Sequence, residues 1–165
     1  MVSRAGAGVT ATALPPALLC AALALTLAFS TRRTASIAVG LAVAVAVAAS
    51  LFDLPPEWPG RAATACWLSL VVTVAAMHWP RHVPTPLALG LAVNAGVWTG
   101  LAANGTAAVA LALAALALTL PACWLAAHRG GIVLKVVASW LGAVAILAAA
   151  LPLVSAPTTT SEHRE

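Results

Sequence analysis

Six apolar runs, none interrupted by Asp or Glu, divide this chain almost from end to end: residues 13–30, 35–52, 62–79, 87–103, 106–127 and 132–154. Each holds between 17 and 23 residues, and the only charge inside any of them is Lys135. A helix rises 1.5 Å per residue, so runs of about 17–25 residues match the roughly 30 Å hydrocarbon core of a bilayer. Charged residues make up 7% of the 165 positions, against about 25% in soluble domains. So few charges do not cover a water-soluble surface, and the mean hydropathy of +1.03 says the same. Lipid is the solvent these runs are built for.

The stretch GLAVAVAVAAS, residues 40–50, alternates with the period of a strand. A lipid-facing barrel strand alternates apolar with polar residues and needs many partners, whereas here both members of the alternation are apolar. Wound as a helix, the segment aligns Ser36, Gly40, Ala44 and Ala48 at spacing four, with Val39, Val43 and Val47 beside them. Small residues at this spacing let a second helix approach closely, which matters in lipid, where no hydrophobic drive joins helices. Gly40, Ala44 and Ala48 are therefore the expected packing stripe of the second helix.

The expected fold is an all-α integral membrane protein of six transmembrane helices in three short-looped hairpins, with no soluble domain. Residues 1–12 form a short polar tail, and residues 155–165 a disordered polar one rich in Thr and Ser. Pro80, Pro84 and Pro86 exclude helix from the third connection, and Asn104-Gly105 is a turn dipeptide. Pro121 lies inside the fifth run, where it removes a backbone donor and frees the carbonyl of Ala117, so a kink is expected near Thr119.

Orientation is read from Lys and Arg in short loops. Arg32, Arg33, Arg81, Arg129 and Lys135 fall on one side, and Arg4, Arg61 and Arg164 on the other, together with Asp53, Glu57, Glu162 and Glu165. This places the Arg-rich loops in the cytoplasm and both termini outside. The basic set of one Lys and seven Arg in an Ala-rich chain fits a GC-rich bacterial genome, hence a bacterial inner membrane. The first run could serve as a cleaved signal peptide, but no clean small-residue cleavage site precedes STRRT and the run is long for a signal core, so it is read as a spanning helix.

The chemistry expected of this sequence is limited by what it omits. No Asp, Glu, Arg or His lies in the middle third of any run, although proton pumps, antiporters and ion pathways place such groups at depth. Paired carboxylates, nucleophile elbows, phosphate loops and zinc-protease signatures are also missing, so no enzyme, cofactor or nucleic-acid partner is expected.

Three sets of residues remain. Asn94, at mid-depth of the fourth run, needs a polar partner and, with Trp98 and Thr99, could line a pocket for a small neutral or apolar solute. Ala92, Gly96 and Gly100 form a groove on that helix about 200° away from Asn94. His78, His82 and His128, with Cys123 near them, could bind haem or a metal, although Pro80 prevents His78 and His82 from forming a helical pair. Cys20 and Cys66 enter from the same side at similar depth and could meet. The function these features suggest is a small non-enzymatic membrane protein that acts as a subunit or scaffold of a larger assembly. Its partners are the lipid bilayer, other membrane subunits or further copies of itself. A transport component built around Asn94 is the alternative.

Overall fold

The computed structural model describes the backbone of residues 4–52, 55, 58–78, 83–102, 106–128 and 131–154, with side chains described from Leu14 onward except at positions 59, 60, 106–108, 111 and 151–154. All regular structure among these residues is helical. The helices are α1 (Arg4–Leu27), α2 (Arg32–Ser50), α3 (Trp58–Met77), α4 (Thr85–Ala102), α5 (Thr106–Ala114), α6 (Thr119–Ala127) and α7 (Gly131–Val154). A 3₁₀ turn, Ala115–Leu118, joins α5 to α6, so the two form one bent rod.

Three helices are long and apolar enough to cross a membrane: Arg32–Ser50, Thr85–Ala102 and Gly131–Ala150. The apolar stretches Leu14–Leu27, Arg61–Met77 and Ala112–Ala127 are shorter. Among the described residues, full spanning length is thus reached by three helices and not by the six expected.

The break in the fifth run follows from backbone chemistry. Pro121 cannot donate to the carbonyl of Ala117. The chain tightens one turn earlier, where the Thr119 amide turns to the carbonyls of Leu116 and Ala117 and the Thr119 hydroxyl donates to Leu116 O at 2.6 Å.

Helix α1 begins at Arg4 and runs through Pro15 and Pro16, where the sequence suggests a polar tail reaching residue 12. It is the central element, packing against α3, α4 and the α5–α6 rod. Leu19, Leu23, Ala24, Thr26 and Leu27 are all fully buried. The first run therefore belongs to the fold and closes its core. It makes little contact with α2, so the first expected hairpin is a connection in sequence and not a packed pair.

The principal neighbour of α2 is α4. Both helices run in the same direction, since Gly96 meets Ala42 and Val45 while Gly100 meets Ala46 and Ala49. Helix α7 packs on α3 through a narrow buried stripe of Leu134, Ala138, Gly142 and Ala145. Most of the rest of its described surface, including Ile132, Val136, Trp140, Ile146 and Leu147, is apolar and exposed, with Lys135 and Ser139 as polar exceptions.

Hydroxyls and thiols fasten the helices from inside. Thr26 Oγ1 lies 2.9 Å from Ala22 O on its own helix and 3.2 Å from Thr73 O on α3, so its single hydrogen is shared or alternates between the two carbonyls. No buried side-chain nitrogen or oxygen lacks a partner among the described residues, as a low-dielectric interior requires.

Candidate functional site

The α2–α4 seam is made by five alanines. At 100° per residue, Ala38, Ala49, Ala42, Ala35 and Ala46 fall within an arc of about 80°, and all five are buried. A Cβ added to Gly96 would lie 2.7 Å from Ala42 O, and one added to Gly100 would lie 2.6 Å from Ala49 Cβ and press on Ala46 O. The two backbones are therefore in direct contact, and only glycine fits.

The expected stripe of Gly40, Ala44 and Ala48 lies on the other side of α2, about 200° around, and all three residues are exposed. Gly40 has nothing within 4 Å of an added Cβ. The small-residue face that meets α4 is thus the Ala38 arc, while the Gly40 ladder is left open to the outside of the chain. Alternating Ala and Val give α2 two ladders of small residues on opposite sides. Ile37 and Val47 interrupt the Gly40 ladder, while the Ala38 arc is uninterrupted, and that contrast was the available signal.

Asn94, Trp98 and Thr99 do not line one pocket. Trp98 Nε1–H donates to Asn94 Oδ1 at 3.0 Å, one turn apart on α4, so the half-buried pair satisfies itself. Thr99, 100° further round, is fully buried against α1, its hydroxyl 3.4 Å from Cys20 Sγ. Cys66 reaches the same turn of α4 from α3, with its thiol donating to Trp98 O at 3.5 Å. Both are free thiols at the α1–α3–α4 junction, and the half-buried Cys123 on α6 is a free thiol as well.

His82 lies outside the described residues. His78 Nδ1–H donates to Val74 O at 3.1 Å, and this leaves Nε2 to accept from the Ser139 hydroxyl at 3.3 Å, joining α3 to α7. His128 is occupied locally: Nδ1–H donates to Trp124 O at 2.8 Å, and its ring stacks on Trp124 with centroids 4.5 Å apart. Among the described residues, no three His, Cys, Asp or Glu side chains converge as metal ligands.

A cleft of about 760 Å³ lies between α2 and the bent α5–α6 rod. One wall is Arg32, Ala35, Ser36, Val39 and Val43, and the other runs from Leu113 through Leu116, Ala117, Thr119 and Leu120 to Cys123, Trp124 and His128. Leu120 and Trp124 are 78% and 63% exposed, so the cleft opens sideways along its length. Its polarity is graded, with Arg32, Ser36, Trp124 and His128 at one end and mostly aliphatic side chains beyond. The 3₁₀ turn that Pro121 forces forms part of the second wall, bringing Leu116 and Ala117 to the cleft surface. Sequence reading named Cys123 and His128 together as metal candidates and the kink apart from them. It missed the cleft because that depends on which neighbour α2 chooses. A second, wholly apolar groove lies between α1, α6 and α7, lined by Leu25, Pro121, Leu125 and Val137 among others.

Comparison with protein-family models, curated proteins and solved structures finds no match.

Proposed function

We propose that this chain is a small, non-enzymatic, polytopic protein of the bacterial inner membrane that holds one lipid-like amphiphile in the cleft between α2 and the α5–α6 rod. In this reading all six rods cross the bilayer, with the Arg-rich end cytoplasmic and both termini outside. The observation that carries it is the cleft itself, which is polar at one end, mostly aliphatic beyond apart from Thr119 and Cys123, and open along its side. Its volume lies within the 300–1,000 Å³ common to small-molecule sites, and side access suits a ligand that arrives from lipid.

Native mass spectrometry of the detergent-purified chain tests this reading. The unmodified protein should retain one phospholipid, and Ala117→Trp, which fills the cleft, should retain none while keeping its helical circular dichroism. Equal retention by both proteins would refute it.

The exposed Gly40, Ala44 and Ala48 ladder favours a second reading, in which the chain is a subunit that packs against another membrane helix. Disulfide trapping at Gly40→Cys in native membranes should then yield a cross-linked species, and a product that stays monomeric would remove this reading.

A further inference from the structure

Building on the cleft reading above, we infer that the cleft takes an anionic phospholipid of the cytoplasmic leaflet, with its phosphate held at Arg32 and one acyl chain lying along Val39, Val43 and Leu116. Charge sets the headgroup. Arg32 and His128 stand at the polar end of the cleft, and among the described residues no carboxylate lines it. The chain's four acidic residues, Asp53, Glu57, Glu162 and Glu165, follow the opposite ends of α2 and α7 in sequence. A guanidinium with no neighbouring carboxylate matches a phosphate in a planar, two-pronged geometry.

Length sets the leaflet. Arg32 and Val43 are eleven residues apart on α2, about 16 Å at 1.5 Å per residue, which is roughly half of a 30 Å hydrocarbon core. The cleft therefore runs from the interface to the bilayer centre, the depth of a single acyl layer.

His128 shapes the headgroup position further. A carbonyl only accepts, so the bond to Trp124 O places a ring proton on Nδ1 and leaves Nε2 as the ring nitrogen open to a ligand. A hydroxyl on the headgroup can pair with that atom, whereas a choline headgroup has no hydroxyl to offer. Stacking on Trp124 holds the ring in this orientation. Trp124 also has the amphipathic character of residues found at headgroup level.

The test is lipid competition on the full-length chain in detergent, read by native mass spectrometry with equimolar phosphatidylglycerol and phosphatidylcholine. The unmodified protein should favour phosphatidylglycerol. Arg32→Gln should lose about fivefold of that preference, the effect of one basic group on an anionic lipid, while still retaining one lipid. Arg33→Gln, which alters a neighbouring exposed residue outside the cleft lining, should keep the preference.

Equal loss in the two variants would reduce the effect to general surface charge and overturn the inference. Equal binding of both lipids by the unmodified protein would overturn it while leaving the cleft reading intact. Displacement of the lipid by millimolar inorganic phosphate would make the site one for a soluble anion, and would overturn it as well. Failure of the unmodified protein to hold any lipid would instead remove the cleft reading on which the inference stands.

Discussion

Helix α2 meets two parts of the molecule in opposite ways. Toward α4 its alanine arc lies against glycine, backbone on backbone, with no room for one more methyl group at Gly96 or Gly100. Toward the α5–α6 rod, the adjacent face of Arg32, Ser36, Val39 and Val43 stands back and leaves about 760 Å³ open. The chemistry of the partner makes the difference. A straight helix with glycines at spacing four offers a groove that small residues fill by van der Waals contact, whereas a rod bent at Pro121 presents Leu, Trp and His side chains that hold α2 away. One helix therefore supplies both the closed seam of the bundle and one wall of its cleft.

The largest effect should come from closing the seam to glycine's neighbours. Gly100→Ala would place a methyl group on the Ala46 carbonyl and Ala49, and Gly96→Ala one on Ala42 O. Because the obstacle is backbone, the helices must separate, and each change should destabilise by about 1–3 kcal/mol, seen as a lower midpoint of thermal unfolding in detergent. An unchanged midpoint in both variants would mean that α2 and α4 are not in contact.

On the open side, Ala117→Trp should do the reverse: stability is kept and the bound lipid is lost. Trp98→Phe comes next. It removes the indole donor to Asn94 and should cost about 0.6 kcal/mol, the average for a polar contact in a membrane protein, with no change in lipid retention. A large loss of retention would return Asn94 to the binding site. The smallest effect is expected at Gly40→Ala, where the new methyl group meets nothing within 4 Å, so the unfolding midpoint should shift by no more than a surface substitution does, within about 0.5 kcal/mol.

The helical class was legible because it depends only on the length and purity of the apolar runs, and the break before Thr119 was legible because proline lacks a donor. The pairing of the helices was not. Alanine and valine in alternation give α2 small residues every 200°, so Gly40 and Ala42 look equivalent until the continuity of each arc is compared. The central position of α1 was also hidden, since an Ala- and Leu-rich segment reads alike whether it faces lipid or protein. The candidate residues Asn94, Trp98 and Thr99 part company for a related reason. Consecutive residues on a helix point 100° apart, so Thr99 faces Cys20 while Trp98 turns back to Asn94.

The claim that α2 closes on α4 through its alanine arc and not through the Gly40 ladder is tested most directly by spin labels at single cysteines from 36 to 49, with Cys20, Cys66 and Cys123 replaced by alanine, in reconstituted bilayers. Labels at positions 38, 42, 46 and 49 should be immobile and shielded from oxygen, while those at 40, 44 and 48 should be mobile and oxygen-accessible. Shielding centred on 40, 44 and 48 would contradict the seam, and with it the position of the cleft.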